Sequence, residues 1–393
     1  MKYIILGTYI DNSINEEFGQ ICKYNDPAAN NFQGWLIHGI KHVGTSVINI
    51  SFKTTTTDSF NRFKETIKMI CNDLNIMIKC KNIYLNHYQR IRHYFNRLST
   101  CIEKDDVIII YSLSLPALVS AIINAKKYKN KICVVIPDLP LHMSSTKSII
   151  YRILKHLDNF LIKLCLKHCT HFVLLSKYMS SYLPKNKRYN HIVIEGAYNN
   201  EIAANINCPY KQSEPYILYT GTLDQRYGIC NLIDAFSSTG LNYNLVICGN
   251  GNESEKNYII EKGESDKRIK YLGSLSYQDI LFLQQNASLL VNPRNNKEEF
   301  TKYSFPSKTM EYLASGTPTL IYKLDGIPDE YYEYCYYING EDDSIDTLAN
   351  TISEILTKSK EENKILGDRA KQFIMTNKNA YAQALKIIEY INK

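Results

Sequence analysis

The sequence predicts an α/β protein of two units, each a parallel β-sheet covered by helices. Three observations lead there. Short apolar, β-branched runs alternate with helical patterns from the N-terminus; the alternation halts once, in the polar stretch "NNEIAANINCPYKQSEP" at 199–215; and a second series of the same kind follows. With 393 residues, 45% hydrophobic and 22% charged, the chain has the length and composition of two globular domains and not of a disordered segment.

In the first series, "KYIILGTYI" (2–10), "SVINISF" (46–52), "DVIIIYS" (106–112), "KICVVIP" (131–137), "HFVLLS" (171–176) and "HIVIEG" (191–196) read as strands. Between them, "AANNFQGWLIHGIKHVG" and "TKSIIYRILKHLDNFLIKLCLKH" read as helices. The uncharged stretch 107–125 is long enough to raise a membrane span, but Pro116, with Ser112 and Ser114 before it, divides it into a strand and a helix that starts near the proline. The second series is "YILYTG" (216–221), "YNLVICG" (243–249), "RIKYLG" (268–273), "ASLLVNP" (287–293), "PTLIYK" (318–323) and "YEYCYYI" (332–338). Strands that are apolar throughout belong to parallel sheets covered on both faces, whose ligands bind at the carboxyl ends of the strands. An inter-domain cleft is therefore the expected site.

The eleven cysteines are scattered, with no CxxC pair, which predicts free thiols and a reducing, cytoplasmic setting. Cys165 and Cys169 share a helix face, where small buried side chains are the expectation rather than metal ligation. The N-terminus "MKYIILGTYIDNS" has an apolar run too short for a signal peptide and reads as a strand. Residues 1–205 carry 26 Lys and Arg against 14 Asp and Glu, a net +12, whereas the remainder nets −5. The first half should thus favour anionic partners. Lys147, Arg152, Lys155, Lys163 and Lys167 lie in or beside one helix whose apolar residues are Ile149, Ile150, Ile153, Leu154, Leu157, Phe160, Leu161 and Leu164. That pattern suits either docking on a membrane surface or a helix that covers the sheet.

Chemistry-bearing residues concentrate in the second half. In "FTKYSFPSKTMEYLASGTP" (300–318), Ser304 is the expected helix cap and Pro306 suits the first turn, so amides near Ser307, Lys308 and Thr309 would face the cleft. A helix start with a cation suits phosphate, and Glu311 one turn on can accept from vicinal hydroxyls such as those of a ribose. Gly221 and Thr222 end a strand, with Arg226 nearby; Arg294 follows another strand; and Gly249 and Asn250 open a glycine-containing loop, "GNGNES". No phosphate-loop motif, no GxGxxG, no DxD triplet and no catalytic-zinc spacing occurs, so no metal and no cofactor are expected.

The segments "YTGTLDQRYGICNLIDAF", "LVICGNGNES", "YLGSLSYQDI" and "VNPRNNKEEFTKYSFPSKTMEYLASGTP", in that order, resemble retaining glycosyltransferases of the GT-B fold, family 4 type. "SFPSKTMEYLASG" looks most like the bacterial subgroup that builds surface polysaccharides. The resemblance implies two Rossmann-like domains facing a cleft: residues 1–205 binding acceptor, 206–375 binding a nucleotide-sugar donor, and 376–393 crossing back as a helix to the first domain. It implies that Glu311 holds the ribose, that Gly221 lies near the diphosphate, and that domain closure excludes water. The catalytic candidates are Arg226 and Lys308, with Asp138 or His142 at the acceptor hydroxyl and "GTYIDNSINEEFGQ" as the acceptor loop. The donor-binding candidates are Gly221, Thr222, Gly249, Asn250, Arg294, Ser307, Thr309 and Glu311.

Two departures from the family pattern stand out. Tyr303 occupies the place of the family's first donor-site glutamate, with Glu298 or Glu299 as the substitute through a loop insertion. The family's Arg and Lys of the glycine loop fall on Thr222 and Tyr227, leaving Arg226 one residue out of register. The expected function is metal-independent transfer of a sugar to a glycan or lipid-diphosphate-linked acceptor, in the cytoplasm or at the inner face of a membrane, with no nucleic-acid partner. The alternatives are a sugar-nucleotide 2-epimerase and a catalytically inactive binding or assembly subunit.

Overall fold

The computed structural model describes residues 1–11, 27–55, 57–73, 75–80, 83–139, 149–198, 204–342 and 344–393. The chain divides into two compact units, Met1–Ala197 with Ala380–Lys393, and Tyr198–Asn379. The divisions thus fall at 197/198 and 379/380, where sequence reading places them at 205/206 and 375/376.

The first unit runs β1 (Lys2–Gly7), α1 (Pro27–His42), β2 (Ser46–Thr55), α2 (Thr57–Arg62), α3 (Lys64–Asp73), β3 (Ile76–Cys80), α4 (Ile83–Cys101), β4 (Val107–Tyr111), α5 (Leu115–Ala125), β5 (Lys131–Ile136), α6 (Ile149–Leu166), β6 (His171–Leu174) and β7 (Ile192–Val193). Its seven strands form one sheet in the order β3-β2-β1-β4-β5-β6-β7, with every pairing parallel. β4 and α5 divide the uncharged stretch 107–125 as its proline dictates: Ser114 is the N-cap and Pro116 sits in the first turn. No helix among the described residues is long and apolar enough to cross a membrane. The C-terminal helix Ala380–Asn392 belongs to this unit, burying Ala384, Ile387, Ile388 and Ile391 in one core with Trp35, Leu36 and Ile40 of α1. Gly39 permits that contact, because a Cβ there would overlap the Ala380 carbonyl and the Ala384 methyl.

The second unit runs β8 (Tyr216–Thr220), α7 (Ile229–Ser237), β9 (Asn244–Cys248), α8 (Glu253–Ser265), β10 (Ile269–Gly273), α9 (Tyr277–Asn286), β11 (Leu289–Asn292), α10 (Lys308–Ser315), β12 (Thr319–Tyr322), β13 (Tyr336–Ile338), α11 (Ile345–Thr357) and α12 (Lys360–Asn377). Six parallel strands take the order β10-β9-β8-β11-β12-β13. In both sheets the chain starts centrally, winds to one edge and then reverses, which gives two Rossmann-like folds with switch points at β1/β4 and β8/β11. The start and end of this unit lie side by side. The Tyr198 amide donates to the Lys378 carbonyl at 2.8 Å, and the Lys378 ammonium, 2.6 Å from Glu330 Oε1, lies over the Tyr331 and Phe373 rings.

Two elements differ from the sequence expectation. β3, "IMIKC", is an edge strand whose five residues include Lys79, too short and mixed to read as a strand alone. The expected strand 332–338 is instead a 3₁₀ turn, Asp329–Tyr334, followed by β13. The buried Tyr332 hydroxyl explains the turn: it accepts from the Leu324 amide at 2.9 Å and donates to the Leu324 carbonyl at 3.0 Å.

The Gly39 contact predicts that Gly39→Ala destabilises the protein by about 1–3 kcal/mol, the usual cost of overpacking a closed interface. Urea denaturation measures this, and an unchanged midpoint would contradict it.

Candidate functional site

The site is built at the β8/β11 switch point of the second unit. After β8 the chain reaches Gly221 at φ +132°, and after β9 it reaches Gly249 at φ +147°, both in the region that disfavours side chains. The two glycines also touch. A Cβ on Gly249 would overlap the Gly221 carbonyl, and a Cβ on Gly221 would overlap the Lys308 ammonium. Backbone bonds hold the loops in register: Gly221 N donates to Cys248 O at 2.8 Å, Gly249 N to Gly273 O at 2.8 Å, and Leu223 N to Asn250 O at 2.9 Å. Thr222 and Asn250 are exposed at the tips of these loops. The Tyr219 hydroxyl donates to the Thr222 carbonyl at 2.7 Å.

Lys308 opens α10 and reaches back to β8. Its ammonium is 3.1 Å from Tyr219 Oη, to which it donates, and 4.3 Å from the centre of that ring. Removal from bulk water pulls its pKa down to about 7; Glu311, on the same helix face one turn on, opposes the shift and Arg294 adds to it. Burial raises the pKa of Glu311, against the pull of Lys308. Tyr198 and Tyr277 lie close enough to Glu311 to feel its charge, which pushes their hydroxyl pKa values further up after burial has done most of it.

Arg294, two residues past β11, is buried. Its guanidinium lies 5.3 Å from the Tyr227 ring centre and 4.7 Å from that of Phe300, and Nη2 donates to Ser304 Oγ at 2.8 Å. Burial lowers its pKa, and its Nε is buried without a hydrogen-bond partner. Thr309 Oγ1 is likewise buried and unpartnered. Two neighbouring cations, each held below its ordinary pKa by burial and Lys308 further lowered by Arg294, with a buried donor unspent, form a place where an anion is favourable.

Behind the site, a polar network fixes β8 to α9 and α10. Tyr312 Oη accepts from the Thr220 amide at 2.8 Å and lies 3.2 Å from Thr220 Oγ1, which accepts from Gln284 Nε2 at 3.3 Å.

Several expected placements change. Ser304 does not cap α10: Ser307 is the cap residue, in right-handed helical conformation, while Ser304 Oγ accepts from Arg294 and donates to the Phe300 carbonyl at 3.2 Å. The Thr309 and Met310 amides donate to the carbonyls of Pro306 and Ser307, so they are not open to a ligand. Arg226 is exposed and clasps Asp224, Nη2 to Oδ2 at 2.6 Å, because Asp224 caps its short 3₁₀ turn; Arg294 is the arginine that acts on Lys308. Tyr303 ends the 3₁₀ turn Glu299–Tyr303 and is half-buried, and Glu298 lies near enough to Arg226 to act on its charge. In the first unit, Asp138 is exposed on the bend after β5, while His142 and most of the expected acceptor loop (12–20) lie outside the described residues. Tyr219, Phe300, Gln284 and Tyr312 take part in the site without having been singled out, and Tyr227, noted only as the place of the family's lysine, presents its ring to Arg294. The second tyrosine of "YILYTG", directly before the glycine loop, was the available signal.

Residues 208–373 match the family model described as Glycosyl transferases group 1. The match spans every residue of the site except Tyr198. Comparison with curated protein sequences finds no match. The fold is similar to that of the Candida albicans trehalose-6-phosphate phosphatase N-terminal domain (TM-score 0.69, 10% identity, 100% of this chain and 96% of that chain). It is also similar to the lipopolysaccharide outer core galactosyltransferase WaaB in its apo form (0.64, 14%, 100% and 99%). HepE of Anabaena, in complex with UDP and glucose, is a third such structure (0.62, 13%, 100% and 100%). Residues 208–373 thus match a glycosyltransferase domain, and the two parallel-sheet units have the fold of these solved structures.

The lowered pKa of Lys308 has a consequence for stability. Between about 7 and its ordinary 10.5 the unfolded chain keeps the proton that the native lysine has lost, so stability rises with pH through that window. The raised pKa of Glu311 acts with the opposite sign, from 4.5 upward. The urea midpoint should therefore climb more steeply between pH about 7 and about 9 for the wild type than for Lys308→Met. Equal slopes would show that Lys308 is not so perturbed.

Proposed function

We propose that the protein transfers a sugar from a nucleotide-diphosphate sugar to a glycan or lipid-linked acceptor, with retention of configuration, in the synthesis of a surface polysaccharide such as capsule, O-antigen or exopolysaccharide. The observation that carries this reading is the ammonium of Lys308 packed against Gly221, with Arg294 beside it and Glu311 one turn on. Gly221 lets the Lys308 ammonium reach the turn after β8, and Gly249 lets the two loops close on each other, so the diphosphate is placed against that cation. Lys308 and Arg294 then stabilise the charge that develops as the diphosphate leaves, which makes metal-independent transfer the expectation. Glu311 accepts from the ribose hydroxyls, and the exposed Ser307, Thr222 and Asn250 line the donor side, with Thr309 buried behind Ser307. Arg226, paired with Asp224, serves at the rim. On the acceptor unit, Asp138 or His142 orients or deprotonates the attacking hydroxyl. Retention and the polysaccharide pathway rest on the family 4 resemblance of the segment around Lys308.

Tyr303, where the family has its first glutamate, favours a second reading: a binding subunit that holds donor without transferring it. A 2-epimerase is disfavoured, since all nine histidines lie at or before His191 and the group 1 domain offers none for proton transfer.

The test is the purified protein with a panel of nucleotide sugars and a membrane extract containing lipid-linked acceptor. Sugar transfer is expected, unaffected by chelator. Loss of the Glu311 carboxylate in Glu311→Ala should lower kcat/KM by about 30- to 100-fold, the worth of a charged hydrogen-bonded pair. Lys360→Ala, on the exposed start of α12, should leave it unchanged. Donor binding without transfer or hydrolysis supports the binding subunit, and activity lost to chelator but restored by divalent metal overturns metal independence.

A diphosphate beside Lys308 restores its charge, so UDP binding near pH 8 should take up protons. Titration calorimetry in two buffers of different ionisation enthalpy measures the uptake, which Lys308→Met should abolish.

A further inference from the structure

Among the described side chains of helix α6, those that pack against the rest of the unit lie on one side. Ile162 and Leu166 are buried; Asn159 is buried and its Oδ1 accepts the Tyr182 hydroxyl at 2.5 Å; and the Lys163 ammonium lies 5.0 Å from the centre of the Tyr182 ring. At about 100° of rotation per residue, the opposite side carries Ile153, Leu154, Leu157, Phe160, Leu161 and Leu164. These six side chains are 37–63% exposed. The sequence allowed this apolar stripe to cover the sheet; the structure turns it outward instead. A contiguous exposed stripe of large apolar side chains marks an interaction surface.

Charge says what the partner is. His156, Lys163 and Lys167 run along one flank of the stripe, all exposed, and Asp158 is the one acidic residue in the helix. Residues 1–205 as a whole carry +12. A second copy of the chain would bring this cationic flank against its like, whereas an anionic bilayer complements it. We propose that α6 docks the protein on an anionic lipid surface. The helix lies parallel to the bilayer, with Ile153, Leu157, Phe160 and Leu164 at the boundary between headgroups and acyl chains and the lysines among the lipid phosphates. The proposal is independent of the sugar-transfer reading, because its readout is binding to lipid and not catalysis.

The test is flotation of the full chain with vesicles of phosphatidylglycerol and phosphatidylcholine, against vesicles of phosphatidylcholine alone. Binding is expected on the mixed vesicles only and should weaken as salt rises. Leu157→Asp with Phe160→Asp should lower the partition coefficient at least about tenfold, and Lys163→Gln with Lys167→Gln roughly tenfold. The native Trp35 is the sole tryptophan and is buried, so Phe160→Trp supplies a probe in a folded protein: its emission should shift to the blue on the mixed vesicles. Absence of flotation, equal binding to neutral vesicles, or no shift of the Trp emission overturns the proposal. So does a dimer in gel filtration that the aspartates dissociate without any vesicle binding, since the stripe would then be an interface between copies.

Discussion

The second unit is organised around one close approach: two glycine turns so near each other, and so near the Lys308 ammonium, that neither tolerates a Cβ. Gly221 and Gly249 both take positive φ as the chain leaves β8 and β9, and the missing Cβ of Gly249 leaves room for the Gly221 carbonyl. The space left by the missing side chain of Gly221 is taken by a lysine from an element far along the chain. What would otherwise be the packed end of a sheet thus becomes a cationic floor. Parallel topology makes this possible, since both loops emerge at the same end of adjacent strands.

A cationic floor is unfavourable in isolation, and the structure shows what opposes its collapse. Tyr219 offers its ring face and its hydroxyl to the Lys308 ammonium, and Tyr227 and Phe300 present their rings to Arg294. Aromatic faces attract cations without neutralising them. The rings thus favour the charged forms against the burial that lowers both pKa values, while Glu311 supplies part of the balance for Lys308 from one turn away. Behind them, the Tyr312, Thr220 and Gln284 network fixes the end of β8 from the inside, so the loop is held by buried hydrogen bonds as well as by its own turn. The arrangement is preorganised for an anion.

In the first unit the comparable decision concerns which side of α6 is packed. Leu166, Ile162 and Asn159 are buried, whereas Ile153, Leu154, Leu157, Phe160, Leu161 and Leu164 are left outside. The C-terminal helix shows the opposite outcome: Ala384, Ile387, Ile388 and Ile391 are buried against α1, where Gly39 lets the backbones meet. Both helices are amphipathic in sequence, and the space available beside each decides whether its apolar face becomes core or surface.

The sequence by itself determined the two parallel α/β units, because strands buried on both faces must be apolar throughout and helices must separate them. It also marked Gly221, Lys308, Arg294 and Glu311 as candidates, since glycine turns and charged residues at strand and helix ends are visible as local pattern. Only the tertiary structure decided which partners those charges take. Arg226 goes to Asp224, two residues away, and Arg294 rather than Arg226 joins Lys308; Ser304 serves Arg294 instead of capping α10. Tyr219 and Tyr312 entered the site for the same reason: their roles depend on contacts 89 and 92 residues apart. The edge strand β3 and the outward stripe of α6 were beyond sequence reading too. Local pattern records which residues are apolar or charged, whereas three-dimensional packing determines which of them have a neighbour.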